Sequence, residues 1–314
     1  MYSLDTKDKK ILRLLEKNAR ESASVIGRTV GLKPDVVQYR LNRLEEHKII
    51  QGYLGYINFH KIGVMDYGIY LNTSFLDKTK EEQALSFLKN HPSTTFIAKT
   101  GGEYNLLVGI LAKDPIELNK LIKELITPLS QEQEIVIRLS LQIFHRDYLT
   151  DSKINKILPS FGGPLEEINL DELDKKIVQI ISKNAREKII DIAAKAKAPA
   201  STIIARLKKL EQQKVITGYY PLINPTAYGY QAYNLLIKGA IDEKKLESYC
   251  QQQGSIIWLI KTLGSWNYEL GIEVQDQKKL QQLVDSLKTT FPSITKTSIL
   301  VVFDILKFDQ YPFR

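Results

Sequence analysis

The chain of 314 residues has a single cysteine, Cys250, and four histidines, and nowhere does it hold the run of about 18 apolar residues that a membrane helix needs. Each scarcity excludes a class. One cysteine makes no intrachain disulfide and no thiolate cluster, so Cys250 is expected to be a reduced thiol packed on a helix. His47, His60, His91 and His145 show no metal-ligand spacing, so no metal, no cofactor and no catalytic residue is expected. Met1–Lys10 lacks the apolar core of a signal peptide, and with no membrane span the expected compartment is the cytoplasm.

What is present is the balance of a folded protein, with 43% hydrophobic and 25% charged residues. The formal net charge is +8. Divided after Ser160, the first part carries 23 Lys and Arg against 19 Asp and Glu, and the second 21 against 17. Both parts are therefore equally basic, as expected if both meet a polyanion.

The sequence also repeats itself. Sliding it by 166 positions aligns residues 4–71 with 170–237 without a gap, and 24 of the 68 pairs are identical. LDTKDKKILRLLEKNARE at Leu4 thus returns as LDELDKKIVQIISKNARE at Leu170, which marks a duplicated unit. In each copy the spacing predicts a helix beginning at Asp5 or Asp171, a turn at Asn-Ala-Arg, a short helix, and a third helix. In the third helix Val37, Leu41 and Leu44 form the buried stripe. Gly31 and Pro34 supply the tight turn before it. Three short helices with that turn describe a helix-turn-helix, and the stretch 49–57 around Gly52 and Gly55 suits a wing hairpin.

Further along, alternating apolar runs predict strand, helix, strand, strand, helix, strand over residues 67–144, beginning with a strand at 67–75, and the same order over 232–308. That is the ferredoxin-like βαββαβ arrangement. Residues 146–169, with Pro159, Gly162, Gly163 and Pro164, read as a linker that carries one short helix. The expected fold class is α+β, with helix-turn-helix units at 1–60 and 170–226 and ferredoxin-like units at 61–145 and 227–314.

These motifs together resemble the leucine-responsive/AsnC (Lrp/AsnC) family of prokaryotic transcription regulators, written twice. The residues that carry the likeness are LDxxDxxI at Leu4 and Leu170, NAR at Asn18 and Asn184, VxxRLxRLE at Val37–Glu45, and IxGYxxxIN at Ile50 and Ile216. The resemblance implies winged helix-turn-helix units that bind double-stranded DNA and βαββαβ domains that serve for assembly and effector binding. It also implies a pseudo-dimer within one chain, which associates further. One departure is Lys197 opposite Gly31, from which a differently angled second helix-turn-helix is expected. Another is Asn105 and Asn267, which stand where the family usually has an acid. An amino-acid effector would there lose the partner of its ammonium group.

Candidate DNA contacts are long donors on the outer face of the third helix: Gln38, Tyr39, Arg40 and Arg43 in the first copy, and Thr202, Arg206, Lys208 and Lys209 in the second. Lys7, Lys9, Lys10, Lys175 and Lys176 are candidates for flanking phosphates. A small-molecule effector, such as an amino acid, is expected near the turns Gly101, Gly102, Tyr104 and Asn105, and Gly264, Trp266 and Asn267, where glycine permits close backbone approach. Two rival readings remain open. One is an enzyme of the sirohaem decarboxylase type, whose architecture is similar, although Gly101-Gly102-Glu103 stands where those proteins place Arg and His. The other is an assembly protein with vestigial DNA-binding units.

Overall fold

The computed structural model describes residues 2–73, 77–130, 132–150 and 160–311. The end of the strand expected at 67–75 and the middle of the linker, 151–159, lie outside them.

The first half runs α1 (Thr6–Lys17), α2 (Ala23–Val30), α3 (Pro34–Glu46), β1 (Ile50–Ile57), β2 (Met65–Leu71), α4 (Lys78–Asn90), β3 (Thr94–Gly101), β4 (Leu106–Ala112), α5 (Pro115–Leu121) and β5 (Gln133–Ile143). After a short β6 (Ser160–Gly162), the second half gives α6 (Glu172–Lys183), α7 (Ile189–Ala196), α8 (Ala200–Gln212), β7 (Ile216–Ile223), β8 (Gln231–Gly239), α9 (Glu243–Gln252), β9 (Ile256–Gly264), β10 (Tyr268–Val274), α10 (Gln277–Thr290) and β11 (Ile294–Phe308). Cys250 is buried on α9.

Within each half the strands order as β5-β2-β4-β3 and β11-β8-β10-β9, the antiparallel ferredoxin-like order. The halves then join each other. β3 pairs with β11 and β5 with β9, so that eight strands close into a ring, to which β6 adds at β5. Closure removes the exposed strand edges that two separate sheets would carry.

Because each sheet is covered by helices outside and by the other half inside, strands such as β4 (LLVGILA) are buried at every position. This is why they read as continuous apolar runs. The outer faces pack on helices: Ile69, Val108 and Ile110 with Leu88 and Leu121 in the first half, and Leu235, Leu270 and Ile272 with Leu246 and Leu283 in the second. The inner faces meet in a central cluster of Tyr70, Ala98, Tyr104, Leu107, Val136, Leu236, Trp266 and Leu300.

Three expectations change. The wing is not a hairpin within each copy: β1 and β7, one strand from each copy, pair antiparallel with each other as a separate two-stranded ribbon. Along the linker, residues 147–149 form one 3-10 turn, and the segment at 160–168 is docked on the first half. Its anchors include β6 and the backbone bonds from Glu166 N to His60 O and from Ile168 N to Lys61 O. Finally, Lys197 caps α7 at φ 54 and ψ 45, close to Gly31 at φ 69 and ψ 50 on α2. The turn keeps its shape without the glycine, at the cost of a left-handed conformation in a residue with a Cβ.

Candidate nucleic-acid interface

Each helix-turn-helix is built from its caps inward. Asp5 caps α1 by accepting from the N–H groups of Lys7 and Asp8, and Ser22 caps α2 through Val25 N. α3 starts at Pro34, whose missing N–H costs nothing at a helix start. Val37, Leu41 and Leu44 then bury against Ile11, Leu12, Leu15 and Ile26. That burial decides which residues face out: Gln38, Tyr39 and Asn42 are exposed, with Gln38 Nε2 donating to Asn42 Oδ1 at 2.8 Å.

The arginines on this helix are committed elsewhere. Arg40 donates to Asp5 at 2.7 Å and to the buried Asp8 at 2.6 Å, tying α3 to the start of α1. Arg43 donates to the Tyr2 hydroxyl and lies 3.8 Å from Asp8. In the second copy Arg206 makes the same link to Asp171 and Asp174, and Lys209 reaches Asp174 at 3.3 Å. The N–H of Asp174, followed by Arg206, holds the Asp171 carboxyl below the usual aspartate range. Arg40 and Arg206, expected among the DNA contacts, thus also brace the unit. Thr202 is half-buried, while Lys208 and Lys209 are exposed beside Ile204 and Ala205. Of the flanking lysines, Lys7 Nζ donates to Val30 O and Lys175 pairs with Glu172.

The two units are held to each other by a reciprocal exchange that the sequence reading took only as a turn. Ala19 N donates to Tyr219 O at 2.9 Å, and Ala185 N to Tyr53 O at 2.7 Å. Arg20 donates to Ala185 O and lies over the Tyr219 ring. Arg186 donates to Ala19 O at 2.7 Å and lies over the Tyr53 ring. Identity of Asn-Ala-Arg in both copies was the available signal. With the β1–β7 ribbon, this crossing fixes how far apart α3 and α8 stand.

The turns expected to hold an effector are spent on joining the halves. Tyr104 and Trp266 are buried in the central cluster. Asn105 clamps Thr73, its Oδ1 accepting from the Thr73 N–H and its Nδ2 donating to Thr73 O, both at 2.8 Å, and Asn267 Oδ1 accepts from Gly239 N at 2.9 Å. Gly102 (φ 124) and Gly264 (φ 138) do allow close backbone approach, but to protein. A Cβ there would lie 2.5 Å from Ile299 O and 2.4 Å from Ile135 O, each on the opposite half. At Gly101 a Cβ would meet the Phe303 ring at 2.7 Å.

Sequence reasoning also missed a row of buried charges. Arg138 donates Nε and Nη2 to Glu269 at 3.1 and 3.3 Å and Nη1 to Asp66 at 3.4 Å. Arg146 donates to Glu273 at 2.8 Å through both Nε and Nη2 and to Glu16 at 2.8 Å. Burial pushes the Glu16 and Asp66 carboxyls up against the pull of these guanidinium groups. The sequence signal was a charge inside otherwise apolar strands, IVIRLSLQI and YELGIEV.

Among the described residues no helix is long and apolar enough to cross a membrane, and no group of His, Cys, Asp and Glu could hold a metal ion.

The AsnC-type helix-turn-helix domain model matches twice, at residues 4–45 and 170–211. The HTH-type transcriptional regulator Ptr1 of Methanocaldococcus jannaschii is 35% identical over 144 residues, which span 94% of that protein and 45% of this chain. An uncharacterised HTH-type transcriptional regulator of Pyrococcus horikoshii is 34% identical over 142 residues, 86% of its length and 43% of this chain. Among solved structures, the siroheme decarboxylase NirDL in complex with an iron-uroporphyrin III analogue covers 98% of this chain and 94% of its own at a TM-score of 0.61. At 14% identity, that likeness shows the fold alone. A regulator of one unit's length accounts for less than half of this chain, and its helix-turn-helix recurs 166 residues on: the chain belongs to the Lrp/AsnC family of HTH-type transcriptional regulators, with two copies of the family's unit in one polypeptide.

Proposed function

We propose that the chain is a cytoplasmic, DNA-binding transcription regulator that works as a covalent pseudo-dimer, with one helix that reads bases and one that grips phosphate. The observation that carries this reading is the pair of helices α3 and α8, held at a fixed separation by the Asn-Ala-Arg crossing yet unlike on their exposed faces. Gln38, Tyr39 and Asn42 offer amide and phenol groups suited to base edges. The counterparts Ile204, Ala205 and Lys208 offer one cation and no side-chain amide. Identical subunits read palindromes, whereas this pair suits a site with one selective half and one tolerant half.

Fluorescence anisotropy and footprinting on DNA selected from a random pool test it. Replacing Lys208 and Lys209 with alanine flattens the salt dependence by about 1–2 units of slope, at roughly 0.9 per phosphate contact. Gln38→Ala with Tyr39→Ala relaxes base preference in one half-site only. Equal sensitivity in two matching, inverted half-sites sinks the reading.

A second reading, decarboxylation of a sirohaem-like substrate, is favoured by the nearly full-length fold likeness to NirDL. Fold by itself carries no chemistry. A change in the visible spectrum of sirohaem incubated with the protein, without selective DNA binding, would establish it instead.

A further inference from the structure

Inside the strand ring lies a cavity of about 210 Å³. Most of its wall is apolar, with Phe96, Ala98, Leu107, Trp258, Ile260 and Val302, and the β1–β7 ribbon contributes Tyr56 and Tyr220. Into it faces the polar cluster of Asp66, Arg138, Asn234 and Glu269.

Two acceptors in that cluster are left over. Arg138 gives three of its five N–H donors to Glu269 and Asp66, which holds the guanidinium between the two carboxylates. Asn234 Nδ2 points at Glu269 Oε2, 3.5 Å away. A carboxylate only accepts, which fixes the amide with its oxygen turned away. Asp66 Oδ1 and Asn234 Oδ1 are then buried without a hydrogen-bond partner among the described residues, on side chains 6% and 2% exposed. Both are acceptors. The cluster also sets two carboxylates against one guanidinium, so a cation beside Asp66 would favour the ionised carboxylate that burial disfavours. Leaving such acceptors unpaired is costly, and a ligand that brings donors removes that cost.

We propose that this cavity binds a small organic ammonium ion with a compact apolar body, its nitrogen at Asp66 and Asn234 and its body against Trp258 and Phe96. An apolar protein cavity of roughly 150 Å³ holds benzene, so the space here fits a ring or branched chain with a short arm. Aromatic walls favour a cation further. A carboxylate on the same ligand would meet Asp66 and Glu269 and be repelled, which separates this site from one for free amino acids. The inference concerns the ring interior and does not depend on DNA binding.

Calorimetric titration of the full chain with 2-phenylethylammonium tests it, beside 2-phenylethanol and phenylalanine. The expected result is saturable binding of one ammonium per chain, at least tenfold weaker binding of the alcohol, and no binding of phenylalanine. Asp66→Asn is expected to weaken the ammonium at least tenfold. Ala98→Leu, which fills the cavity from a wall without charge, is expected to abolish binding and decides the matter where Asp66→Asn does not fold. In the unaltered protein the Arg138 Nε resonance should shift on titration. No heat with the ammonium, equal affinity for the alcohol or for phenylalanine, or undiminished binding in folded Ala98→Leu each overturns the proposal.

Discussion

The two half-rings agree on their outer faces and disagree on their inner ones. Positions that meet the helices are aliphatic in both: Ile69 and Leu235, Val108 and Leu270, Ile110 and Ile272. Strand register places the inner counterparts opposite one another in sequence: Asp66 with Ala232, Gly68 with Asn234, Leu107 with Glu269, Leu111 with Glu273, and Arg138 with Val302. The first half thus brings the Arg138 guanidinium to the interface, and the second brings Glu269, which receives it beside Asp66. Were the first half to pair with a copy of itself, Arg138 would face Leu107, and a self-paired second half would set Glu269 against Val302. An unpaired buried charge costs several kcal/mol. The duplicated halves are no longer interchangeable, and their inner faces specify each other.

The sharpest way to break this comparison is to remove one charge. Glu269→Leu installs the residue the first half has at this place and leaves Arg138 buried with Asp66 alone. A loss of about 3–5 kcal/mol in urea unfolding is expected. Replacing the whole cluster by its counterparts, Asp66→Ala, Arg138→Val, Asn234→Gly and Glu269→Leu together, is expected to recover most of that loss, since apolar substitutes for a buried ion cluster are often neutral or better. A cost below about 1 kcal/mol for the single change would show that the cluster specifies nothing.

How much of this was legible depends on what each residue's partner is. Elements made by local spacing, such as the stripe Val37, Leu41 and Leu44, could be read directly, because their partners lie within the same unit and recur at a helical period. The βαββαβ order was readable for the same reason. Pairings between halves were not. Gly52 and Gly55 suggested a hairpin, yet a strand's hydrogen bonds do not announce whether the partner is the next segment or one 166 residues away. Gly102 and Gly264 signalled a close approach correctly, but sequence does not say whether a ligand or a backbone approaches. Arg40 and Arg206 read as outward donors, because the sequence does not show that the acidic caps Asp5 and Asp171 stand beside them.

A smaller effect comes from the turns of the two helix-turn-helix units. Gly31 and Lys197 hold nearly the same left-handed conformation, which glycine adopts freely and lysine does not. Lys197→Gly is expected to stabilise the second unit by about 1 kcal/mol, and Gly31→Ala to destabilise the first by about as much. A Cβ on Gly31 would find only Lys7 Nζ, at 3.6 Å, so the cost there is conformational and not steric. Native-state hydrogen exchange in α7 and α2 reads each change separately. Opposite signs in the two units confirm that the backbone, and not a different angle of approach, distinguishes the turns.

The smallest expected effect distinguishes the two helix caps. Asp5 and Asp171 both have carboxyl pKa values below the usual 3.8, so each contributes stability that is fully present above that value and is lost as pH falls through the lower folded value. Their causes differ in order. At Asp171 the largest is the backbone N–H of Asp174, with Arg206 behind it. At Asp5 the largest is burial, which pushes the carboxyl up and is overcome by the N–H groups of Asp8 and Lys7 together with Arg40. Removing the arginine should therefore act unequally. In Arg206→Ala the Asp171 carboxyl, followed by carbon NMR through an acid titration, should stay below 3.8, because its main support remains. In Arg40→Ala the Asp5 carboxyl should rise further, since burial then meets only backbone donors. Equal rises at both caps would show that the arginines, and not the helix starts, hold these groups ionised.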